Sequence, residues 1–487
     1  MRGLAELQIG WGAKHDRVIR RGVGLWLGPC LGLCLAGMAS QAQQPGADRV
    51  EMPLPVAPEQ ALTLDQAEAL AESGNIQVQQ SGYQVGSARA NLSSQRAPLN
   101  PTLNYASLNN LVAPTNGFGM LGNYSAYVTL ETNGAQRYRT NQARAQLQGT
   151  ESDARTIRLT VRQAVADAYS DLQVANSALQ NERDVYALTS RLAGLTQNQF
   201  QLGAAPEANA IRARIAVTQE EQNLTASANQ VRMARAALNV LLGRMPDTPV
   251  DSAQPMAYNA VISPERARLL AEAMQSRPEI RSASASISAA QAAVGLEKAQ
   301  YFPNLTLGRQ LDVGPVAVGL ILPLDLGSIK NAISKSQQDV KVQQSLLAQA
   351  RLNVSQDVET GCLNLTQAQR TVTLYQQGIL PQSESLLSHV TQGYALGAST
   401  ILDVIDAQQT YRTTRNAYYA AIGSYNHAVD QLNRAVGTLV ATPALGTVPV
   451  PATPVPAPPP AGLTPVTGPV PGAPRVPEAP PTAMPNR

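Results

Sequence analysis

Asp403 and Asp406 stand three residues apart in the stretch ILDVIDAQQTYRT, a spacing that puts both carboxylates on one face of a helix. Such a pair can do electrostatic work. Repeated by symmetry around a constriction, it would form a ring of carboxylates that favours cations. In an isolated helix the same two acids would be solvated residues of the first turns, stabilised by the helix dipole. Little else in the chain could do bond chemistry. Beyond residue 42 the histidines are His389 and His427, and the one cysteine is Cys362. No metal-spaced cluster, glycine-rich phosphate loop or nucleophile elbow occurs. The sequence therefore assigns no catalytic, metal-ligating or cofactor-binding residue and argues against an enzyme. Cys362 has no intrachain disulfide partner once the first 42 residues are set aside. It reads as a buried small residue on a helix, and the two histidines read as helix-surface residues.

Residues 1–42 have the form of a secretory signal. Lys14, Arg17, Arg20 and Arg21 precede an apolar run over 22–38, and Ser40-Gln41-Ala42 is a small-x-small cleavage site. An uncleaved anchor or a lipidated cysteine at Cys30 or Cys34 would use the same segment. Pro29 and Leu33, however, stand where a lipoprotein signal needs a small residue. The remaining chain holds 32 basic and 32 acidic residues, so the formal charge of +3 belongs mostly to the signal. Without clustered Lys and Arg there is no footprint for nucleic acid. Sixteen of the 34 prolines lie in 441–487, which predicts an extended, disordered tail. Residues 43–60 read as a linker.

What must position Asp403 and Asp406 is a duplicated unit. LGAAPEANAIRARIAVTQ (202–219) matches LGASTILDVIDAQQTYRT (396–413) at a constant offset of 194. Asn100-Pro101-Thr102-Leu103 likewise resembles Phe302-Pro303-Asn304-Leu305. Repeat 1 spans 61–245, a linker spans 246–261, and repeat 2 spans 262–440. Long helices are predicted at about 132–201 and 206–243, then at about 326–395 and 400–437. Heptad runs support them: Val165, Leu172, Leu179 and Tyr186; Val217, Leu224, Val231 and Leu238; Val358, Leu365, Val372, Ile379 and Leu386. A helix of about 70 residues is ~100 Å long, longer than any single globular core. Gly378 and Pro381 should kink the second long helix, because proline removes a backbone donor.

Four short strands interrupt the helices, at about 102–112, 123–131, 304–312 and 315–324. Tyr124, Ala126, Val128 and Leu130 alternate with Ser125, Tyr127, Thr129 and Glu131, and Val316, Val318, Leu320, Leu322 and Leu324 share one face. Arg309 breaks the apolar parity of its strand. Strands of this length suit a tilted membrane span, and a soluble hairpin domain would show the same alternation. Four strands cannot close a barrel, and open edges in hydrocarbon are costly. A spanning sheet would need strands from other copies, and three copies would supply twelve. A soluble coiled coil would explain the helices but not the hairpins.

The segment ILPQSESLLSHVTQGYALGASTILDVIDAQQTYRTTRNAY (379–418), the duplication, RPEIRSASASISAAQAAVGLEKAQYFPNL (277–305) and LPLDLGSIKNAISKSQQDV (322–340) together resemble the TolC-type outer-membrane efflux proteins over roughly 61–440. The resemblance implies a mostly helical fold with a small β part. It implies a homotrimer whose twelve-stranded barrel, set in outer-membrane lipid, continues into a periplasmic helical barrel. The implied function is a passive exit duct for efflux or type I secretion, docked to a periplasmic adaptor and an inner-membrane pump. The implied entrance acids are Asp403 and Asp406, with Tyr394 and Ser399 beside the gate. Gly203 and Gly397 would mark the tips that contact the adaptor. Ser399 stands where relatives carry arginine, and Asn209 where they carry aspartate, so the same closed-state latch is not implied. A periplasmic adaptor or coiled-coil assembly protein is the alternative, but it should carry one hairpin rather than a duplicated one.

Overall fold

The computed structural model describes residues 61–97, 102–106, 123–259, 265–310, 316–321, 324–438 and 448–449. The expected signal, the expected 43–60 linker, the outer ends of three of the four expected strands and most of the expected tail lie outside these residues.

In chain order the elements are β1 (Ala61–Leu62), α1 (Leu64–Gly74), α2 (Ile76–Arg96), β2 (Thr102–Ala106), β3 (Asn123–Leu130), α3 (Ala135–Gln201) and α4 (Glu207–Leu241). There follow β4 (Asp251–Ser252), β5 (Ala257–Tyr258), α5 (Arg266–Ser276), α6 (Pro278–Ala299), β6 (Asn304–Gln310) and β7 (Val316–Ile321). The chain ends with α7 (Leu326–Leu374), a π-helical turn (Tyr375–Ile379), α8 (Leu380–Ala395), α9 (Ile401–Val436) and β8 (Val448–Pro449). The duplication is therefore structural: α1 and α5 both have 11 residues, and α4 and α9 have 35 and 36.

The four longer strands form one antiparallel sheet in the order β2–β3–β6–β7. The β3–β6 pairing joins the two repeats. Register aligns Leu130, Leu305 and Leu320 across the sheet, then Val128, Leu307 and Val318. The next rung pairs Ala126, Arg309 and Val316. Val318 and Leu320 are about two-thirds exposed (67% and 63%). The other face carries Thr129, Thr306 and Gly319. Among the described residues β2 and β7 each pair on one side only.

Below the sheet a belt of short elements wraps the long helices. Thr63 and Gln66 form a capping box on α1. Asn75 caps α2 and also donates to the Leu241 carbonyl at 2.8 Å, fastening the end of α4. Arg277 does the corresponding work in repeat 2. It is buried, donates to the Arg434 carbonyl at 2.8 Å and pairs with Asp357 at 2.9 Å. The expected linker at 246–261 carries two short strands. Its β4 pairs in parallel with β1, and its β5 pairs with β8. Asp251 explains part of this, since Arg235 (2.8 Å) and Asn176 (2.6 Å) hold it. Val448–Pro449 of the tail is the strand that pairs with β5.

Two large apolar clusters fill the belt. One joins Val161, Val165, Leu172, Val231 and Leu238, and the other joins Val358, Leu365, Tyr418, Ile422, Tyr425 and Leu432. Two heptad expectations need correction. On the second long helix Ile379 and Leu386 are 45% and 44% exposed, while Leu380 and Leu387 are buried. The π turn accommodates one extra residue, so the buried seam jumps from Val372 to Leu380. On α3 the seam holds to Leu172, then moves to Asn181, Val185, Leu188 and Leu192, leaving Tyr186 half-exposed. Cys362 is only half-buried, because it sits beside Gly361, not in the inward row of Val358, Leu365 and Val372. No helix among the described residues is long and apolar enough to cross a membrane.

Candidate functional site

The helix pairs α3–α4 and α8–α9 end in two matching tips. Gly203 and Gly397 hold left-handed backbone conformations, with φ of 70° and 78°. Behind Gly397, the Gly393 carbonyl accepts from Ala398 N (2.7 Å) and Ser399 N (3.2 Å). Behind Gly203, the Gln199 carbonyl accepts from Ala204 N (2.8 Å) and Ala205 N (3.2 Å). These bonds satisfy carbonyls that a helix end leaves free. The residue before each glycine projects outward: Leu202 is 84% exposed and Leu396 is 79% exposed.

The tips restart their second helices differently. Thr400 caps α9 through a box in which its Oγ1 accepts from Asp403 N and its N donates to Asp403 Oδ2 at 2.8 Å. At the matching place Pro206 precedes α4 without a side-chain cap, and Asn209 stands where Asp403 does. Hydrogen bonds from Thr400 hold the Asp403 carboxyl below its ordinary range. Asp403 and Asp406 are both exposed, on the side of α9 away from the buried Ile401, Val404 and Ala407. The two sequence readings of Asp403 are thus compatible: it caps its own helix and presents negative charge outward.

Tyr394 connects the tips. Its hydroxyl donates to Gln199 Oε1 at 3.0 Å and lies 3.5 Å from Thr196 Oγ1. Ser399 packs back against Gly393, where any Cβ would overlap its Oγ. Gly378 lies in the π turn and Pro381 is the second residue of α8, a position where a missing donor costs little.

Farther from the tips the α3–α9 contact is polar, a feature the sequence reading did not identify. Asn181 donates to Asn416 Oδ1 at 2.8 Å, and Asn416 donates to Glu182 Oε1 at 2.7 Å. Arg412 stands 3.7 Å from Glu182 and 3.8 Å from Glu220 of α4. Buried Arg415 donates to the hydroxyls of Tyr419 (2.8 Å) and Tyr411 (3.2 Å) and faces Asp184 at 3.5 Å. Burial raises the Glu182 carboxyl pKa.

His427 corrects the surface expectation. It is half-buried between α9 and α3, 3.2 Å from Asp171 Oδ1 and from the Asp167 carbonyl. The hydrogen bond to Asp171 pushes its pKa up to about 9. Burial, reinforced by the Asp167 charge, pushes Asp430 up to about 7. Among the described residues no group of His, Cys, Asp or Glu is placed to hold a metal ion.

Long duplicated helices on a four-stranded sheet with a bare apolar face point to one family. Its sequence model, described as outer membrane efflux protein, matches residues 68–244 and 269–438. The chain belongs to the outer membrane efflux protein family. It is similar to the cobalt-zinc-cadmium resistance protein CzcC of Cupriavidus metallidurans, with 23% identity over 84% of this chain and 98% of that protein. It is also similar to the toluene efflux pump outer membrane protein TtgC of Pseudomonas putida, with 23% identity over 68% of this chain and 70% of the relative. The fold matches solved structures of CusC (TM-score 0.66, 18% identity, 81% of this chain and 99% of that one). It also matches the outer membrane protein VceC of Vibrio cholerae (TM-score 0.63, 17% identity, 77% and 96%). The efflux family consists of transporters rather than enzymes.

Proposed function

We propose that this chain is the outer-membrane channel of a tripartite efflux or type I secretion system, a passive duct gated at its periplasmic end. The observation that carries the reading is the sheet. It has an apolar face on which Val318 and Leu320 stand exposed and an edge strand on either side. In hydrocarbon such edges need pairing partners, and three copies would close a twelve-stranded barrel. Contiguous copies would also cover Leu346, Leu352 and Leu363 of α7 and Ile211 and Ile215 of α4, all exposed in one chain. The α-helical part, with α3 ~100 Å long, would form the periplasmic tunnel.

The tips would form the entrance. Asp403 and Asp406 of three copies would supply six carboxylates around one opening, favouring cations. Leu202 and Leu396, beside Gly203 and Gly397, would offer the periplasmic adaptor paired apolar knobs, and the inner-membrane pump would supply the energy. The names of the relatives span metal resistance and toluene efflux, so cargo choice is assigned to the pump. Fractionation tests the reading. The chain should be recovered from the outer membrane as an oligomer that survives mild detergent. A monomer in the soluble periplasmic fraction would overturn it.

A further inference from the structure

The junction between the helices and the sheet exposes apolar and basic side chains together. There β3 ends at Leu130, β6 begins at Asn304 and β7 ends at Ile321. Within about three helical turns of those ends, over 131–144, 297–302 and 324–335, six Lys and Arg stand against three acids. The acids are engaged inside the chain. Glu131 pairs with Arg139, Glu297 accepts from Gln300 at 2.8 Å, and Asp325 caps α7 by accepting from Ser328 N at 3.0 Å. Arg137, Lys298 and Lys330 are exposed, and none has an ion-pair partner among the described residues.

Large apolar side chains lie among these cations. Phe302 is 64% exposed and Leu326 57%. Tyr301 N donates to the Lys298 carbonyl at 3.2 Å and Phe302 N to the Ala299 carbonyl at 3.1 Å. These bonds continue the helical turn past the end of α6, so Gly295, Lys298 and Phe302 share a face. Tyr138 of α3 lays its ring over Gly295, where any Cβ would overlap it. That face therefore carries Tyr138, Lys298 and Phe302 in succession, with Arg137 next to Tyr138 in the chain. On α7, Leu326 and Lys330 are four residues apart and both exposed. Copies joined edge to edge through β2 and β7 would not cover α6, which packs between α3 and α7 of its own chain, just as β6 lies between β3 and β7. An adaptor at the tips would meet the opposite end of the long helices. Rings, aliphatic side chains and unpaired cations at the edge of a membrane sheet fit a lipid headgroup layer, with the apolar groups in the acyl boundary and the cations on phosphate.

We propose that Arg137, Tyr138, Lys298, Phe302, Leu326 and Lys330 form a docking band for anionic phospholipid headgroups of the leaflet that faces the periplasm. The three cations take the phosphates, while Phe302 and Leu326 enter the acyl boundary. Because the cations have no counter-charge of their own, the band prefers anionic to zwitterionic lipid and sets the depth of the sheet in the membrane. The inference rests on the channel reading.

Beyond residue 42 the chain holds no tryptophan, so Phe302→Trp gives the band a fluorescent reporter. The purified reporter oligomer is placed in vesicles that contain brominated phosphatidylglycerol or, at the same mole fraction, brominated phosphatidylcholine. Phosphatidylglycerol should quench the reporter several-fold more strongly. Arg137→Gln, Lys298→Gln and Lys330→Gln should each reduce the lipid preference by roughly fivefold at most, and together they should abolish it, as should molar salt. Excess inorganic phosphate should leave the preference in place; its loss would reveal a plain anion site and overturn the lipid assignment. Equal quenching by the two lipids, or a preference that survives the triple substitution, overturns the band. Quenching by aqueous iodide with none by either lipid puts this face on the water-filled side and overturns it too. If the reporter chain does not assemble, mass spectrometry of the parent oligomer in detergent decides: it should retain phosphatidylglycerol over phosphatidylcholine, and equal retention overturns the band. A parent chain that enters no vesicle as an oligomer would instead overturn the channel reading.

Discussion

The belt and the tip-ward hairpins use the same helices but different adhesives. In the belt, α3 meets α4 and α1 through Val161, Val165, Leu172, Val231 and Leu238, and α9 meets α7 through Val358, Leu365, Ile422 and Leu432. Caps from Asn75 and Arg277 fasten the ends of α4 and α9 there. Toward the tips, α3 meets α9 through Asn181, Glu182 and Thr189 and meets α8 through Thr196, with small apolar groups between them. An apolar seam loses its transfer free energy when it parts. A polar one exchanges protein partners for water at a small net cost. One continuous helix is therefore held by apolar packing at the belt and largely by polar contacts toward the tips.

Core truncation should expose the contrast most strongly. Leu172→Ala is expected to cost about 3–4 kcal/mol, because the residue is fully enclosed in the belt cluster. Leu192→Ala, in a three-residue cluster near the tip, should cost about half as much. Denaturant melts of the two variants measure the difference, and equal losses would erase the distinction between the regions.

Glycine turns offer the next test. Gly243 and Gly397 have φ of 73° and 78°, so alanine strains both by about 1 kcal/mol. A Cβ at Gly243 would also run into the backbone of Gly74, whereas Gly397 faces open space. Gly243→Ala should therefore lose roughly 2 kcal/mol or more, and Gly397→Ala only the strain. Thermal melts of the pair check this.

Acidity should act mainly within the belt, where His427 and Asp430 of α9 lie beside Asp167 and Asp171 of α3. His427, raised to about 9, contributes stability that is fully present below its ordinary value of 6.5 and is lost as pH rises through 9. Asp430, raised to about 7, is destabilising when ionised, so its effect grows as pH rises from 3.8 through 7. Both shifts make the parent chain more stable at pH 6 than at pH 9. His427→Gln with Asp430→Asn should flatten that slope by about 1 kcal/mol, given that part of the cluster is solvent-screened. Melting temperatures across that range read it directly.

The smallest effect belongs to the tip cap. Asp403→Ala removes half of the Thr400 capping box. Amide exchange in the first turn of α9 should quicken without a change in global melting, whereas Asp406→Ala should leave exchange there unchanged. Capping also depends on the ionised carboxylate, so the same fraying should appear in the parent chain as pH falls through the depressed Asp403 value.

Much of this arrangement was legible in the sequence. Helix ends fell within a few residues, because Gly203, Gly397 and the proline distribution mark them. The two faces of the strands followed from period-two alternation such as Val128 to Leu130, while their order and register did not. The π turn was not legible: Gly378 and Pro381 announced an interruption, but not that it would add one residue and move burial from Ile379 and Leu386 to Leu380 and Leu387. Asn181, Glu182 and Arg415 have the types of surface residues. Only pairing with a helix more than 200 residues distant reveals them as interior, and His427 was misread for the same reason. At the tip, the Thr400–Asp403 spacing is a capping signal as well as part of an acidic pair.

If the tips form a cation-favouring entrance to a channel, single-channel recording of the purified oligomer should show cation selectivity and divalent-ion block, both sharply reduced in Asp403→Asn with Asp406→Asn while the oligomer still assembles. Conductance, selectivity and block indistinguishable from the parent would contradict it and remove these carboxylates from the conduction path.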